Sequence, residues 1–119
     1  ADYDQALKVR RIGKAALDEL FTSVDLIVGP TCATGAISYS ELTWDSLMHT
    51  LFTPYWDSVG NPTLSVPMGF TAAGLPLGLQ IAGRPFQDAL VLRAGDAYQR
   101  LTDHHLKLPP VSAVTPAAA

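Results

Sequence analysis

The stretch that decides the fold is GNPTLSVPMGFTAAGLPLGLQIAGRPF, residues 60–86. Apolar residues alternate with small or polar ones over 64–70 and again over 77–82, and this period of two predicts two β-strands. The turn residues over 71–76 join these strands into a hairpin. Pro67 cannot donate a ladder hydrogen bond, so the first strand is predicted to lie at a sheet edge or to carry a bulge.

The sequence on either side of the hairpin predicts helices and one further strand. A helix is expected over 3–21, and a short buried strand over 25–28. A second helix is predicted to begin after Thr43 as its N-cap and to break or kink before Pro54. Asp88 is predicted to cap the last helix. Four apolar residues of the first helix recur at spacings of three and four: Val9, Ile12, Ala16 and Leu20.

Charge is scarce and unevenly distributed. The chain has 8 basic and 11 acidic residues, a net charge of −3, which excludes the basic excess that general nucleic-acid binding needs. Residues 58–83 carry no charge, but glycines and prolines interrupt this run, so a membrane-spanning helix is excluded as its explanation. A small domain exposes much of its surface, so we expect a partner subunit or the rest of a longer polypeptide to cover this stretch.

Few residues offer catalytic or metal chemistry. Cys32 is the single cysteine, which excludes an internal disulfide and a multi-cysteine metal site. Adjacent His104 and His105 would not face one ligand from a helix, and His49 lies on the polar side of a short helix. We therefore predict no metal site and no cofactor. Nucleotide-binding and hydrolase motifs such as the P-loop and G-x-S-x-G do not occur.

The beginning of the chain carries two further expectations. It starts at Ala1 without a methionine and shows no basic-then-apolar signal sequence, so we expect a fragment or a processed chain. A lone free thiol suits a reducing compartment, and we expect a cytoplasmic location.

Aromatic residues concentrate where a pocket is predicted. Five of the ten aromatic residues lie within 39–56. Thr53, Trp56 and Asp57 follow one another at about one helical turn and combine apolar and polar groups, as ligand pockets do. An ordinary aromatic core with Asp57 capping a turn explains the same composition, and both interpretations stay open at this point.

Residues 60–98 resemble the C-terminal part of the amidase signature family. The resemblance lies in GNPTLSVPMGF, in the return strand GLPLGLQIAGRPF, and in the helix with Asp88 near its start. DLIVGPT at 25–31 is similar to the strand and threonine-containing loop that precede this region, so the match runs over about 3–105. It implies an α/β fold with a large mixed β-sheet flanked by helices. This piece would supply about three helices, the hairpin and one further strand.

The resemblance also implies domain limits and chemistry. Residues 1–107 would be the C-terminal part of an amidase signature domain, and 108–119 a loose Pro/Ala-rich tail. Family enzymes cleave or transfer carboxamides with a Ser–Ser–Lys triad, through an acyl-enzyme on the nucleophilic serine. Those residues belong to upstream sequence. No lysine here has a Gly-Ser-Ser segment around it, so no catalytic residue is expected in this segment.

The predicted substrate-binding residues are Thr53, Trp56 and Asp57, of which the resemblance implies Thr53 and Asp57 and the aromatic composition indicates Trp56. Thr53 matches a threonine of the family's pocket wall, Asp57 stands where an asparagine is common, and Trp56 lies between them. Glutamine-using members that make charged tRNA usually have an acidic residue three positions before this threonine, where this chain has Thr50. The resemblance therefore disfavours glutamine as the substrate, and the aromatic-rich wall favours an aryl or other hydrophobic amide.

The predicted function is that of the C-terminal portion of an amidase, which converts a carboxamide to a carboxylic acid and ammonia or an amine. Its expected partners are the remainder of the chain and a small-molecule amide, with no nucleic acid, no membrane span and a homo-oligomer as a further option. Within the family, an amidotransferase subunit is the alternative. Two others are a non-catalytic interaction or structural module that kept the fold, and a small oligomeric α/β protein with an accidental likeness.

Overall fold

The computed structural model describes residues 2–109, which form four α-helices, three β-strands and one 3-10 helix. In chain order these are α1 (Asp2–Leu20), β1 (Leu26–Pro30), α2 (Trp44–Thr50), α3 (Thr53–Val59), β2 (Thr63–Phe70), β3 (Pro76–Gly83), α4 (Asp88–Leu101) and the 3-10 helix His104–Leu106. The α/β class is confirmed, as are the hairpin and the additional strand.

The three strands form one antiparallel sheet in the order β1-β3-β2. The hairpin strand β3 is therefore central and β2 is an edge, as the proline in β2 predicts. The pairing register shifts between Pro67 and Gly69, which is the predicted bulge. Gly69 has a φ of 144°, a value that side-chain-bearing residues rarely adopt.

Helix α4 closes one face of the sheet over β2 and β3, while Val28 of β1 on the same face is 62% exposed. Val66, Ile81 and Val91 form its buried cluster, at 2–5% exposure. Gly95 of α4 lies so close to Leu64 that a Cβ there would overlap the leucine side chain. The helix therefore packs directly on the strands through a small residue.

The opposite face is covered at one end by α1 and α3. Leu17, Phe21 and Val59 form a second buried cluster there, with Ile27 and Trp56 packed against it. Two cations of α1 also bind the C-terminal end of α3. Arg10 Nε donates to the Ser58 carbonyl at 2.6 Å, and Lys14 Nζ to the Val59 carbonyl at 2.8 Å. Cations at this position satisfy carbonyls that a helix leaves unpaired.

Two predicted details differ in the structure, and a third, the break before Pro54, is confirmed. Asp88 does not cap α4; Gln87 is the N-cap without a side-chain bond, and Asp88 is the first helical residue, where its charge still favours the helix N-terminus. His104 and His105 lie in a separate 3-10 helix, because α4 ends at Leu101. The break before Pro54 starts a new helix, since proline is well suited to the first turn.

Two further predictions concern the ends of the chain. The α1 residues Val9 and Ile12 share a face as expected, yet they are 60% and 71% exposed. The predicted tail at 108–119 lies almost wholly outside the described residues, and the boundary at 107 stays a prediction. None of the helices in 2–109 is long and apolar enough to cross a membrane.

Candidate active-site wall

The segment carrying the predicted site begins with a well-defined helix start. The Thr43 hydroxyl accepts from the Ser46 N–H at 3.0 Å, and the Ser46 hydroxyl accepts from the Thr43 N–H at 2.9 Å. This reciprocal pair is a capping box and confirms Thr43 as the N-cap of α2. After α2 the backbone is extended at Leu51, and α3 starts at Thr53. This short connection places the predicted site residues on the first two turns of α3.

The C-terminal end of α3 is capped by Gly60. Gly60 has a φ of 80°, in the left-handed region, and its N–H donates to the Trp56 carbonyl at 2.8 Å. The side-chain amide of Asn61 then donates to the Gly83 carbonyl at 2.8 Å, and the Gly83 N–H donates to the Pro62 carbonyl. The turn after α3 is thereby tied to the end of the central strand.

Trp56 and Asp57 line one cleft, of about 410 Å³. We call it the tryptophan cleft; its other lining residues are Gly60, Asn61, Pro62, Pro85, Phe86 and Asp88. Trp56 is half-buried and also packs against the core cluster, while Asp57 is exposed. The pocket and core interpretations of Trp56 therefore both have a structural basis. Thr53 is half-buried one turn earlier and does not line this cleft as residues 2–109 define it.

Phe86 stands at the tryptophan cleft in an unusual conformation. Its φ is 65°, in the left-handed region, and its side chain is 96% exposed. A bulky residue with positive φ is an outlier that costs free energy, and such residues concentrate at binding sites. The composition pattern did not single out this residue, because left-handed backbone at a non-glycine position leaves no sequence signal.

A larger cavity, of about 620 Å³, lies between the loop after β1, helix α2 and the hairpin strands. We call it the hydroxyl cavity; representative lining residues are Thr31, Thr50 and Ser65 among the polar ones and Ile37, Leu47 and Leu77 among the apolar ones. The Thr31 and Ser65 hydroxyl oxygens are 2.9 Å apart and hydrogen-bonded. The sequence predicts Thr31 in the loop after the first strand and Ser65 in the first strand of the hairpin.

The loop that borders the hydroxyl cavity is fastened to the link between α2 and α3. The Phe52 N–H donates to the Thr31 carbonyl at 3.1 Å, and the Ala33 N–H to the Thr50 carbonyl at 2.8 Å. The Thr31 N–H donates to the Gly78 carbonyl of β3 at 2.8 Å. Cys32 pairs with Leu51 as an isolated bridge and is a free, half-buried thiol in the cavity lining. The wall is thus held by backbone bonds to both neighbouring elements.

The histidines lie away from both cavities. His49 is exposed on α2, and its Nε2 is 3.3 Å from the Asp45 carboxylate, as for an ordinary i,i+4 surface pair. No group of three or more metal-ligating side chains is clustered within the described part of the chain.

Comparison with known proteins gives the family. The protein-family model described as Amidase matches residues 1–92. The chain belongs to the amidase family. The resemblance seen in the hairpin blocks is therefore confirmed.

Curated relatives of this amidase-family chain are named as a subunit of glutamyl-tRNA(Gln) amidotransferase. The protein of that name from Chloroflexus aurantiacus is 43% identical over 112 residues, covering 92% of this chain and 23% of the relative. The one from Methanosarcina mazei is 41% identical over 111 residues, covering 91% and 23%. The amidase-family chain thus spans about a quarter of the length of these relatives.

Solved structures agree on the fold. The crystal structure of the glutamyl-tRNA(Gln) amidotransferase subunit from Thermotoga maritima superposes with a TM-score of 0.83 at 32% identity, covering 93% of this chain and 26% of that one. A structure described as a vestigial protein complex that reveals the origins of an s-triazine catabolic enzyme gives a TM-score of 0.71 at 25% identity, covering 89% and 25%.

Proposed function

We propose that this amidase-family chain is the C-terminal portion of an enzyme that cleaves a carboxamide to a carboxylic acid and ammonia or an amine. The observation that carries the proposal is the family match over residues 1–92, joined to the two cavities described above and to the lack of a recognisable nucleophile–base pair within 2–109. The catalytic Ser–Ser–Lys triad is then supplied by upstream sequence of the same polypeptide. That upstream sequence is the main partner of this segment.

The role of this segment is to shape the substrate wall. We assign substrate binding to Thr53, Trp56 and Asp57, of which the last two share the tryptophan cleft. An indole brings a large apolar surface and one N–H donor, which suits the grip on a hydrophobic amide. The exposed ring of Phe86 adds a second aromatic surface at the same cleft.

Thr50 supports a hydrophobic substrate in preference to glutamine. Its hydroxyl donates to the Ser46 and Leu47 carbonyls of its own helix, at 3.1 and 3.0 Å. A carboxylate at this position would attract the α-ammonium group of free glutamine, whereas a hydroxyl engaged within α2 offers no charge. The proposed substrate is therefore an uncharged amide with an aryl or comparable apolar group.

A second candidate function is that of an amidotransferase subunit. The relatives that match at 41–43% identity carry that name, and this is the observation that favours it. The two candidates differ in the amide that the upstream triad receives. A Thr50→Asp variant of the full-length protein should raise kcat/KM for glutamine if the hydrophobic amidase assignment is right, and Thr50→Asn is the uncharged control.

The test of the proposed function uses the full-length protein that contains this segment. An aryl amide, a short aliphatic amide and glutamine are compared by kcat/KM, with release of acid and of ammonia or amine as the readout. The aryl amide should be the best substrate. Preference for glutamine would support the amidotransferase candidate, and absence of turnover with all three would support the non-catalytic module.

A further inference from the structure

We propose that Lys14 and Arg10 of α1 are positioning residues for substrate selectivity. They hold the carbonyl end of α3 and thereby set the direction of the Trp56 side chain in the tryptophan cleft. This inference rests on the proposed amide-cleaving function and extends it to α1. The helix acts from outside the cleft, whose lining within 2–109 contains no α1 residue.

The two cations of α1 bind backbone carbonyls of α3. Arg10 and Lys14 lie one helical turn apart on α1 and donate to two successive carbonyls, that of Ser58 at 2.6 Å and that of Val59 at 2.8 Å. Neither cation forms an ion pair with a carboxylate among residues 2–109. Lys14 is also half-buried, although lysine side chains mostly extend into solvent. The bond to α3 therefore accounts for where this side chain lies.

The direction of α3 depends mainly on its C-terminal end. The helix has seven residues, and its N-cap Phe52 makes no side-chain hydrogen bond. The last four carbonyls of a helix have no partner inside the helix. The Gly60 N–H binds the first of these, the Trp56 carbonyl, and the two α1 cations bind the last two. Because α1 supplies these two bonds, it takes part in fixing the orientation of α3.

The Trp56 side chain is connected to α1 by direct packing. Its ring meets that of Tyr55 edge to face, with centroids 5.4 Å apart. A Cβ built at Gly13 of α1 would lie 3.7 Å from the Tyr55 and Val59 side chains, so the two helices approach closely there. Trp56 also packs against the buried cluster that includes Leu17 of α1. A change in how α1 holds α3 should therefore move the indole, and binding side chains act only when they are held closely in place.

The first experiment compares a bulky and a small amide in the full-length enzyme. Lys14→Met keeps the apolar stem of the side chain but removes the donor to the Val59 carbonyl. The ratio of kcat/KM for the bulky over the small amide should fall by about 3- to 5-fold, within the worth of one hydrogen bond, and mostly through KM for the bulky amide. Lys14→Arg restores a donor and should keep the ratio within about twofold of wild type.

The second experiment observes the indole directly. The full-length protein is labelled with fluorotryptophan, and the fluorine resonance of Trp56 is assigned by its loss in Trp56→Phe. Lys14→Met should shift this resonance, and Lys14→Arg should return it towards the wild-type position. The measurement needs no turnover. A shifted resonance in a protein that cleaves no amide would therefore support the positioning by α1 while it counts against the proposed function.

Two control variants separate positioning from stability and from charge. Val91→Ala removes a buried side chain from the cluster under α4, and Lys8→Met removes an exposed lysine of α1; both should leave the ratio and the resonance unchanged. Arg10→Met, at an exposed position, should shift the resonance in the same direction and serves as the test variant if Lys14→Met does not fold. An unshifted Trp56 resonance, an equal shift in Val91→Ala, or equal losses for both amides would overturn the proposal.

Discussion

The two faces of the three-stranded sheet have opposite characters. The face under α4 is apolar and closed over β2 and β3, with Val66, Ile81 and Val91 almost fully buried. The other face carries hydroxyls, glycines and, within the described residues, an unpaired glutamine oxygen, and it borders the larger cavity. Each strand contributes residues to both faces, because successive side chains point to opposite sides of the sheet. The comparison separates residues that hold the fold from those available for binding.

The largest expected effect concerns catalysis. The 119-residue chain alone should show no amide hydrolysis, because its open face carries binding groups and its sequence has no matched nucleophile, base or oxyanion segment. The measurement is acid release from an aryl amide by the purified chain, beside the full-length enzyme at equal concentration. Turnover that copurifies with the chain through several columns would show that the open face carries catalytic groups as well as binding groups.

The next effect compares burial on the closed face with exposure on α1. Ile81→Ala should lower the stability of the full-length protein by about 3 kcal/mol, because it leaves a cavity under α4. Ile12→Ala should change the melting temperature of the 119-residue chain little, since Ile12 is 71% exposed.

The same Ile12 substitution tests what covers α1 in the complete protein. If upstream sequence packs on this helix, Ile12→Ala should destabilise the full-length protein by about 2 kcal/mol or more. Equal, small effects in both chains would show that α1 faces solvent throughout. The free energy of unfolding is measured by chemical denaturation of the full-length protein and of the 119-residue chain. Lys8→Ala, an exposed position on α1, is the control.

A third effect concerns selectivity at the tryptophan cleft. Trp56→Ala in the full-length enzyme should lower the preference for a bulky over a small amide by about 10-fold, within the range that apolar pocket contacts give. Acyl chemistry common to both amides should change less. Because Trp56 also packs against the Leu17 cluster, the melting temperature is measured in parallel. A uniform loss for both amides that follows a lower melting temperature would assign Trp56 to the core.

The sequence predicted the hairpin, the bulge, the N-cap of α2 and the family, because these depend on local alternation, proline and capping chemistry. It did not predict the hydroxyl pair. Thr31 follows one strand and Ser65 lies on another, and only the three-stranded register brings them together above Gly78. Periodicity also placed Val9 and Ile12 on one face of α1 without telling that Leu17 and Phe21 are the residues that pack inside.

The smallest expected effect concerns charge in the tryptophan cleft. Asp57 and Asp88 both line it, and Lys or Arg residues are not part of its lining within 2–109. The cleft should therefore disfavour anionic amides relative to neutral ones. Asp57→Asn should reduce that discrimination about two- to threefold at low salt, because exposed charge interactions contribute well under 1 kcal/mol. Since Asp57 is exposed, salt at about 0.5 M should remove most of the difference between wild type and variant. Asp45→Asn, an exposed acidic residue of α2 outside both cavities, is the matched control and should change nothing. A salt-independent effect of Asp57→Asn would instead indicate a direct hydrogen bond to the substrate, and an equal effect of Asp45→Asn would assign the discrimination to net charge.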